Sequence, residues 1–217
     1  MIDVVHEIEA VQREVGHGRI PAGEGRAIRL RRTYSAPIED VWDALTDPQR
    51  ISRWFLPITG DYRVGGRYQF EGNAGGEILA CDRPNRLQVT WVYGDTGNPG
   101  DVSEVEVRLT PAGNEATVFE LVHTAVVPME MWDQYGPGAV GVGWDGGFLG
   151  LSLHLSDRSA EVKDREAWPL TAEGREFYRL SSAAWGEANR AAGADPDTVA
   201  QNVAATTAFY TGEPAGS

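Results

Sequence analysis

Residues 34–55 read YSAPIEDVWDALTDPQRISRWF, and their apolar positions fall into two short helical faces. Ile38, Val41, Trp42 and Leu45 recur at i, i+3, i+4 and i+7, which places them on one side of a helix. Ser35 suits its cap, Pro37 its first turn, and Glu39 with Asp40 set negative charge at the positive end of the helix dipole. Asp47 then caps a second helix that Pro48 opens and whose apolar side is Ile51, Trp54 and Phe55. Helices this short cannot bury their own faces, so the pair needs a sheet to pack on.

The flanking segments supply that sheet. Ile28, Leu30 and Tyr34 alternate with Arg29, Arg31 and Thr33, which predicts a strand just before the helix pair. After Pro57 five more strand segments follow, over residues 67–71, 77–82, 86–93, 102–110 and 117–126, separated by Gly- and Asn-rich turns. Such spacing predicts an antiparallel meander. In residues 102–110, Glu104, Glu106 and Arg108 alternate with Val105, Val107 and Leu109, giving one wet and one buried face. GNAGG at 72–76 joins two strands without the Lys-Ser or Lys-Thr of a phosphate loop and reads as a hairpin turn.

Helical spacing returns at both ends of the chain. Val4, Ile8, Val11 and Val15 predict an N-terminal helix over residues 2–15, and the glycines and Pro21 of 16–25 predict a flexible connection. Trp144, Phe148, Leu151 and Leu155 predict a long helix over 138–155, although six glycines in that span oppose it by about 1 kcal/mol each. Two further helices are predicted over 171–192 and from Asp195-Pro196 to about residue 210, with Gly212 beyond the end. The domain reading is therefore an N-terminal helix and linker (1–25), a central α+β domain (26–157) and a C-terminal helical extension (158–217).

Composition narrows the function classes. Thirty-two acidic residues face 19 basic ones, of which Lys163 is the single lysine, and the net charge is −13. That balance argues against nucleic-acid binding and against docking on an anionic membrane. Cys81 is the one cysteine and reads as a small buried apolar side chain in a strand. No run of eighteen apolar residues and no signal-like N-terminus is present, so the chain reads as soluble and cytoplasmic.

The order of strand, two short helices, five-strand meander and long C-terminal helix resembles the helix-grip arrangement of the SRPBCC (START and pollen-allergen-like) superfamily. It is most similar to the branch named for the activator of the heat-shock chaperone ATPase. The matching motifs are APIEDVWDALTDPQRISRWF, the VGG at 64–66, GEILACDRPNRLQVTW at 76–91 and the GVGW that opens the long helix. Together they cover residues 26–155. The resemblance implies a curved six-stranded antiparallel sheet wrapping the long helix, with a hydrophobic cavity between them.

Strand alternation then proposes the cavity wall: Tyr68 and Phe70; Val89, Trp91 and Tyr93; Val105, Val107 and Leu109; and Phe119, Leu121 and His123. Trp54 and Phe55 from the helix pair, and Trp144, Phe148 and Leu151 from the long helix, would close it. An apolar concave lining with few polar groups is the usual form of a small-molecule site. His123 is the polar candidate on this face, either as an acid/base group in the cavity or as a strand-end histidine bonded to a backbone carbonyl. His154 reads as a favourable charge at a helix C-terminus. Glu77 and Asp145 read as solvated or loop-bonded, and His6 and His17 have no acids at metal-ligand spacing. No metal or cofactor motif is found.

Three functions are open on these grounds. The first is a non-catalytic module holding a small hydrophobic or aromatic molecule. The second is a cyclase- or aromatase-like enzyme using His123 on a polyketide-like substrate. The third, which the branch name implies, is a partner-binding chaperone ATPase co-factor. The aromatic residues of the C-terminal extension, among them Phe177, Tyr178, Trp185, Phe209 and Tyr210, imply helices that pack on the same domain or join a homodimer.

Overall fold

The computed structural model describes residues 1–94, 103–126, 129–162, 164–165 and 167–213. Its centre is one antiparallel sheet of eight strands in the order β1-β2-β8-β7-β6-β5-β4-β3. The strands are β1 (Gln12–Ile20), β2 (Gly23–Tyr34), β3 (Ile58–Gly60), β4 (Arg67–Phe70), β5 (Gly75–Asp82), β6 (Arg86–Trp91), β7 (Ser103–Pro111) and β8 (Thr117–Ala125). The helices are α1 (Val4–Glu9), α2 (Ile38–Thr46), α3 (Pro48–Trp54), α4 (Met129–Tyr135), α5 (Gly138–Leu155), α6 (Ala172–Ala191) and α7 (Pro196–Thr211).

All five meander strands start and end within two residues of the expected places. The segment from Gly97 to Val102 lies outside the described residues. Eight strands replace the expected six for two reasons. The short β3 was too brief to show a pattern, and the stretch expected as helix end and linker is instead β1, hairpinned onto β2 from Gln12↔Arg31 to Ile20↔Gly23. Only Val4–Glu9 of the expected first helix is helical. Val11 and Val15 continue its spacing by coincidence, since Val15 faces the core from a strand. The glycines that suggested a linker permit close strand contact: a Cβ on Gly25 would collide with the Ala125 backbone carbonyl of β8.

The capped helix pair forms as expected in its second half. The Asp47 carboxylate accepts the Gln49 and Arg50 N–H groups at 2.7 and 3.1 Å, with Pro48 at the first position. The first cap differs, because Pro37 rather than Ser35 is the cap residue and α2 begins at Ile38 without a side-chain bond.

α5 lies in the concavity of the sheet and is covered on its other side by α1, α6 and α7. Phe148 meets Phe119 of β8 edge to face at 4.9 Å, and Tyr34 of β2 donates to the Phe148 carbonyl at 3.1 Å. On the outer side Asp145 bonds Ser181 and Trp185 of α6, and Tyr210 of α7 donates to the Ala139 carbonyl. A helix packed on both sides needs no polar face, which explains its nearly uniform apolar sequence. It also explains most of its glycines: a Cβ on Gly141 would collide with the Trp185 indole, and one on Gly138 would lie 2.8 Å from Thr206. The C-terminal extension thus packs on its own domain and buries Phe177 and Trp185 there.

Two buried ion pairs tie the layers together. Asp145, read from sequence as a surface or loop-bonded residue, is 2% exposed and takes both forks of Arg13 from β1 at 3.0 Å. Arg32 of β2 bonds Glu7 of α1 at 2.6 Å and Ser152 of α5 at 2.9 Å. Neither pair was visible in the sequence, because the partners are far apart along the chain and lie on elements whose packing had not been foreseen.

Candidate functional site

Between the sheet, the helix pair and α5 lies a cavity of about 490 Å³. Its wall is built by the alternation read from the strands. Tyr68 and Phe70 come from β4, Ile78 from β5, Leu87, Val89 and Trp91 from β6, Val105 and Val107 from β7, and Phe119 and Leu121 from β8. α2 and α3 add Trp42, Leu45, Ile51 and Trp54, with Phe55 just beyond α3, while α5 adds Trp144, Gly147, Phe148 and Leu151. Rings dominate and interlock: Phe55 stands edge-on to Phe70 at 5.0 Å, and Trp91 lies 4.9 Å from Trp144.

The structure therefore brings Trp54, Phe55, Tyr68, Phe70, Trp91, Phe119, Leu121, Trp144, Phe148 and Leu151 to one wall. Three expected members are absent. Leu109 is buried near the end of β7 but lies outside the cavity wall. Tyr93 is 58% exposed, because β6 stops at Trp91 and the alternation that would have turned Tyr93 inward ends with it. His123 does sit on the inner face, buried, but behind Trp144 and outside the cavity wall.

The bonding of His123 fixes its state. The Trp144 Nε1–H donates to His123 Nδ1 at 3.0 Å, so the proton of the neutral ring is on Nε2. That nitrogen donates to Ser103 Oγ at 2.8 Å, and the Ser103 hydroxyl donates to the Trp91 carbonyl at 2.6 Å. Burial pushes the imidazole down to about 4, which keeps it neutral. Both nitrogens are committed, so His123 locks Trp144 and Trp91 in place and presents no proton to the cavity. The strand-end alternative, a bond to a backbone carbonyl, is realised only through Ser103.

Polar atoms in the wall are few and mostly spent. Tyr68 donates to the Thr90 carbonyl at 2.7 Å, and Thr46 donates to the Trp42 carbonyl at 2.8 Å. Half-buried Ile58 of β3 and the exposed Tyr62, Arg63, Val64, Cys81 and Arg83 complete the lining. The exposed residues mark the mouth of the cavity. Cys81 was expected to be buried, but it belongs to the part of β5 beyond the bulge at Ile78–Ala80, where the chain reaches solvent. Arg63 pairs with Asp61 at 2.7 Å, and Arg83 with Asp43 at 3.1 Å. Among the described residues no carboxylate lines the cavity.

The other candidates fall outside the site. Glu77 is exposed on β5. His154 sits near the end of α5 as expected, but burial and the Arg50 and Arg53 guanidinium groups push it down, against the expected helix-end charge. His6 lies in α1 and His17 in β1, and the described residues contain no cluster of His, Cys, Asp and Glu able to hold a metal ion. No described helix is long and apolar enough to cross a membrane.

Comparison with known proteins gives this geometry a lineage. The family model described as Activator of Hsp90 ATPase homolog 1-like protein matches residues 35–150. The chain belongs to that family. The match begins at the helix pair and ends within α5, so the matched span contains most of the cavity wall and omits α1, β1, β2, α6 and α7. Relatives of known structure extend further. CalU16 from Micromonospora echinospora is 36% identical in its crystal structure, with 81% of this chain and 98% of that one covered and a TM-score of 0.61. Its solution structure gives 36% identity, coverage of 84% and 96%, and a TM-score of 0.66. Protein MLL2253 from Mesorhizobium loti is 26% identical over 61% of this chain and 98% of that one, with a TM-score of 0.51. No curated protein matches the chain.

Proposed function

We propose that this member of the Hsp90-ATPase-activator-like family is a binding module that holds one small hydrophobic or aromatic molecule between its sheet and α5. The observation that supports the reading is the cavity itself: about 490 Å³ of space bounded by aromatic and aliphatic side chains. Protein interiors are otherwise packed to the density of organic crystals, so a volume of this size left open is unusual for a core. It falls within the roughly 300–1,000 Å³ typical of ligand sites. The polar hydroxyls in the wall are bonded to backbone carbonyls, which suits a ligand recognised by shape and apolar contact.

The cyclase-like reading depended on His123 as an acid or base, and that imidazole is held behind Trp144 with both nitrogens bonded. The chaperone reading rests on the family name alone. Fluorescence titration with neutral N-phenyl-1-naphthylamine tests the binding reading. Saturable binding of one probe per chain is expected, weakened at least tenfold by Val107→Phe, which extends a ring into the cavity. A wild-type chain that takes up no probe would refute it.

A further inference from the structure

Of the six glycines in α5, Gly147 is the one that lines the cavity. Glycine is a poorer mid-helix residue than alanine, so each such position calls for a reason. Gly138, Gly141 and Gly150 have one inside the protein: a Cβ there would run into Thr206, Trp185 or the Trp54 carbonyl. Gly147 has none. Its Cβ would meet only Phe55 Cε2 and Trp144 Cε3, both at 4.0 Å, which is ordinary contact distance. A side chain would fit, and the helix leaves bare backbone facing the open volume instead.

We propose that the bare backbone at Gly147 is the floor on which the ligand rests, and that the ligand is a flat aromatic molecule slotted between Phe55 and Trp144. The proposal rests on the reading of the cavity as a binding site and specifies its occupant. A planar ring reaches van der Waals contact with a helix backbone only where no Cβ stands in the way. A flexible aliphatic chain bends around one methyl group and gains nothing from its absence. The neighbouring rings favour the same class. Phe55, Phe70, Trp91 and Trp144 meet one another tilted or edge-on, at 88° and 46° in the pairs of Phe55 with Phe70 and Trp91 and at 51° between the two tryptophans, so ring faces and edges are both offered to an inserted aromatic.

Calorimetric titration with two neutral alcohols tests this, planar 1-pyrenemethanol against flexible 1-decanol, on the wild type, Gly147→Ala and Gly146→Ala. Gly146 is the control because it faces Tyr178 of α6 rather than the cavity. Gly147→Ala is expected to weaken pyrenemethanol at least tenfold, to change decanol less than twofold and to leave the melting temperature no lower than wild type. Gly146→Ala should change neither affinity. If the wild type binds both probes and Gly147→Ala affects them equally or not at all, the planar-ligand inference falls while the cavity reading stands. Binding of decanol alone would also overturn it. A wild type that binds neither probe overturns both readings.

Discussion

Asp145 is where the layers of this protein meet, and its replacement makes a quantitative test of how the fold is held. Its carboxylate accepts four bonds: from Arg13 Nε and Nη2 at 3.0 Å each, from Ser181 Oγ at 2.5 Å and from Trp185 Nε1 at 3.1 Å. The side chains of Arg13 and Asp145 are 6% and 1% exposed, so neither charge has water to turn to. Asp145→Leu strands the guanidinium, at about 3–5 kcal/mol, and leaves the Ser181 and Trp185 donors unpaired as well. Arg13→Met is milder, about 2–3 kcal/mol, because the carboxylate keeps its two neutral donors and burial already pushes its carboxyl up against the pull of Arg13, so it can take a proton. The double variant removes both charges and should cost at least 2 kcal/mol less than the sum of the singles. Urea unfolding of all four chains measures this cycle. Additivity to within about 0.5 kcal/mol would show that the two groups are not coupled and would refute the account.

Two further outcomes follow from single groups. His123 titrates at about 4 in the fold against 6.5 ordinarily, so the unfolded chain binds the extra proton between those values. Its contribution to stability is complete above pH 6.5 and is lost as pH falls toward 4, to a total of about 3 kcal/mol. Urea midpoints at pH 7 and 4.5 should therefore drop less for His123→Gln than for the wild type, and equal drops would contradict the burial argument. Gly141→Ala should destabilise by about 1–3 kcal/mol despite alanine's better helix propensity, because its Cβ has Trp185 in its way. A thermal melt at or above wild type would show that the indole moves aside freely.

What the sequence showed and what it hid have a common cause. Alternation along 67–91 and 103–125 identified the inward side chains because each strand contacts α5 or the cavity on one face only, leaving a period of two in the chain. Tyr93 broke the pattern because the strand ended, which alternation by itself does not reveal. The glycines of α5, which opposed a helix in the sequence, serve two ends in the fold: close packing at Gly141, against α6 rather than the sheet, and open space at Gly147. Glycine in a sequence has no direction, so that division needed the fold. The ion pairs of Arg13 and Arg32 were hidden because a charged residue reads as exposed until its partner, up to 132 residues away, is brought beside it. Arg32 shares the phase of Leu30 and Tyr34, which was the one available sign that it points inward.

The central claim, that the space between sheet and α5 receives a ligand, is open to direct measurement through the seven tryptophans. Trp42, Trp54, Trp91 and Trp144 line the cavity, whereas Trp132, Trp168 and Trp185 do not. Fluorine NMR of the 5-fluorotryptophan protein, titrated with 1-pyrenemethanol, should shift the four cavity resonances and leave the other three in place. Shifts confined to Trp132, Trp168 or Trp185, or none at any tryptophan, would contradict the account.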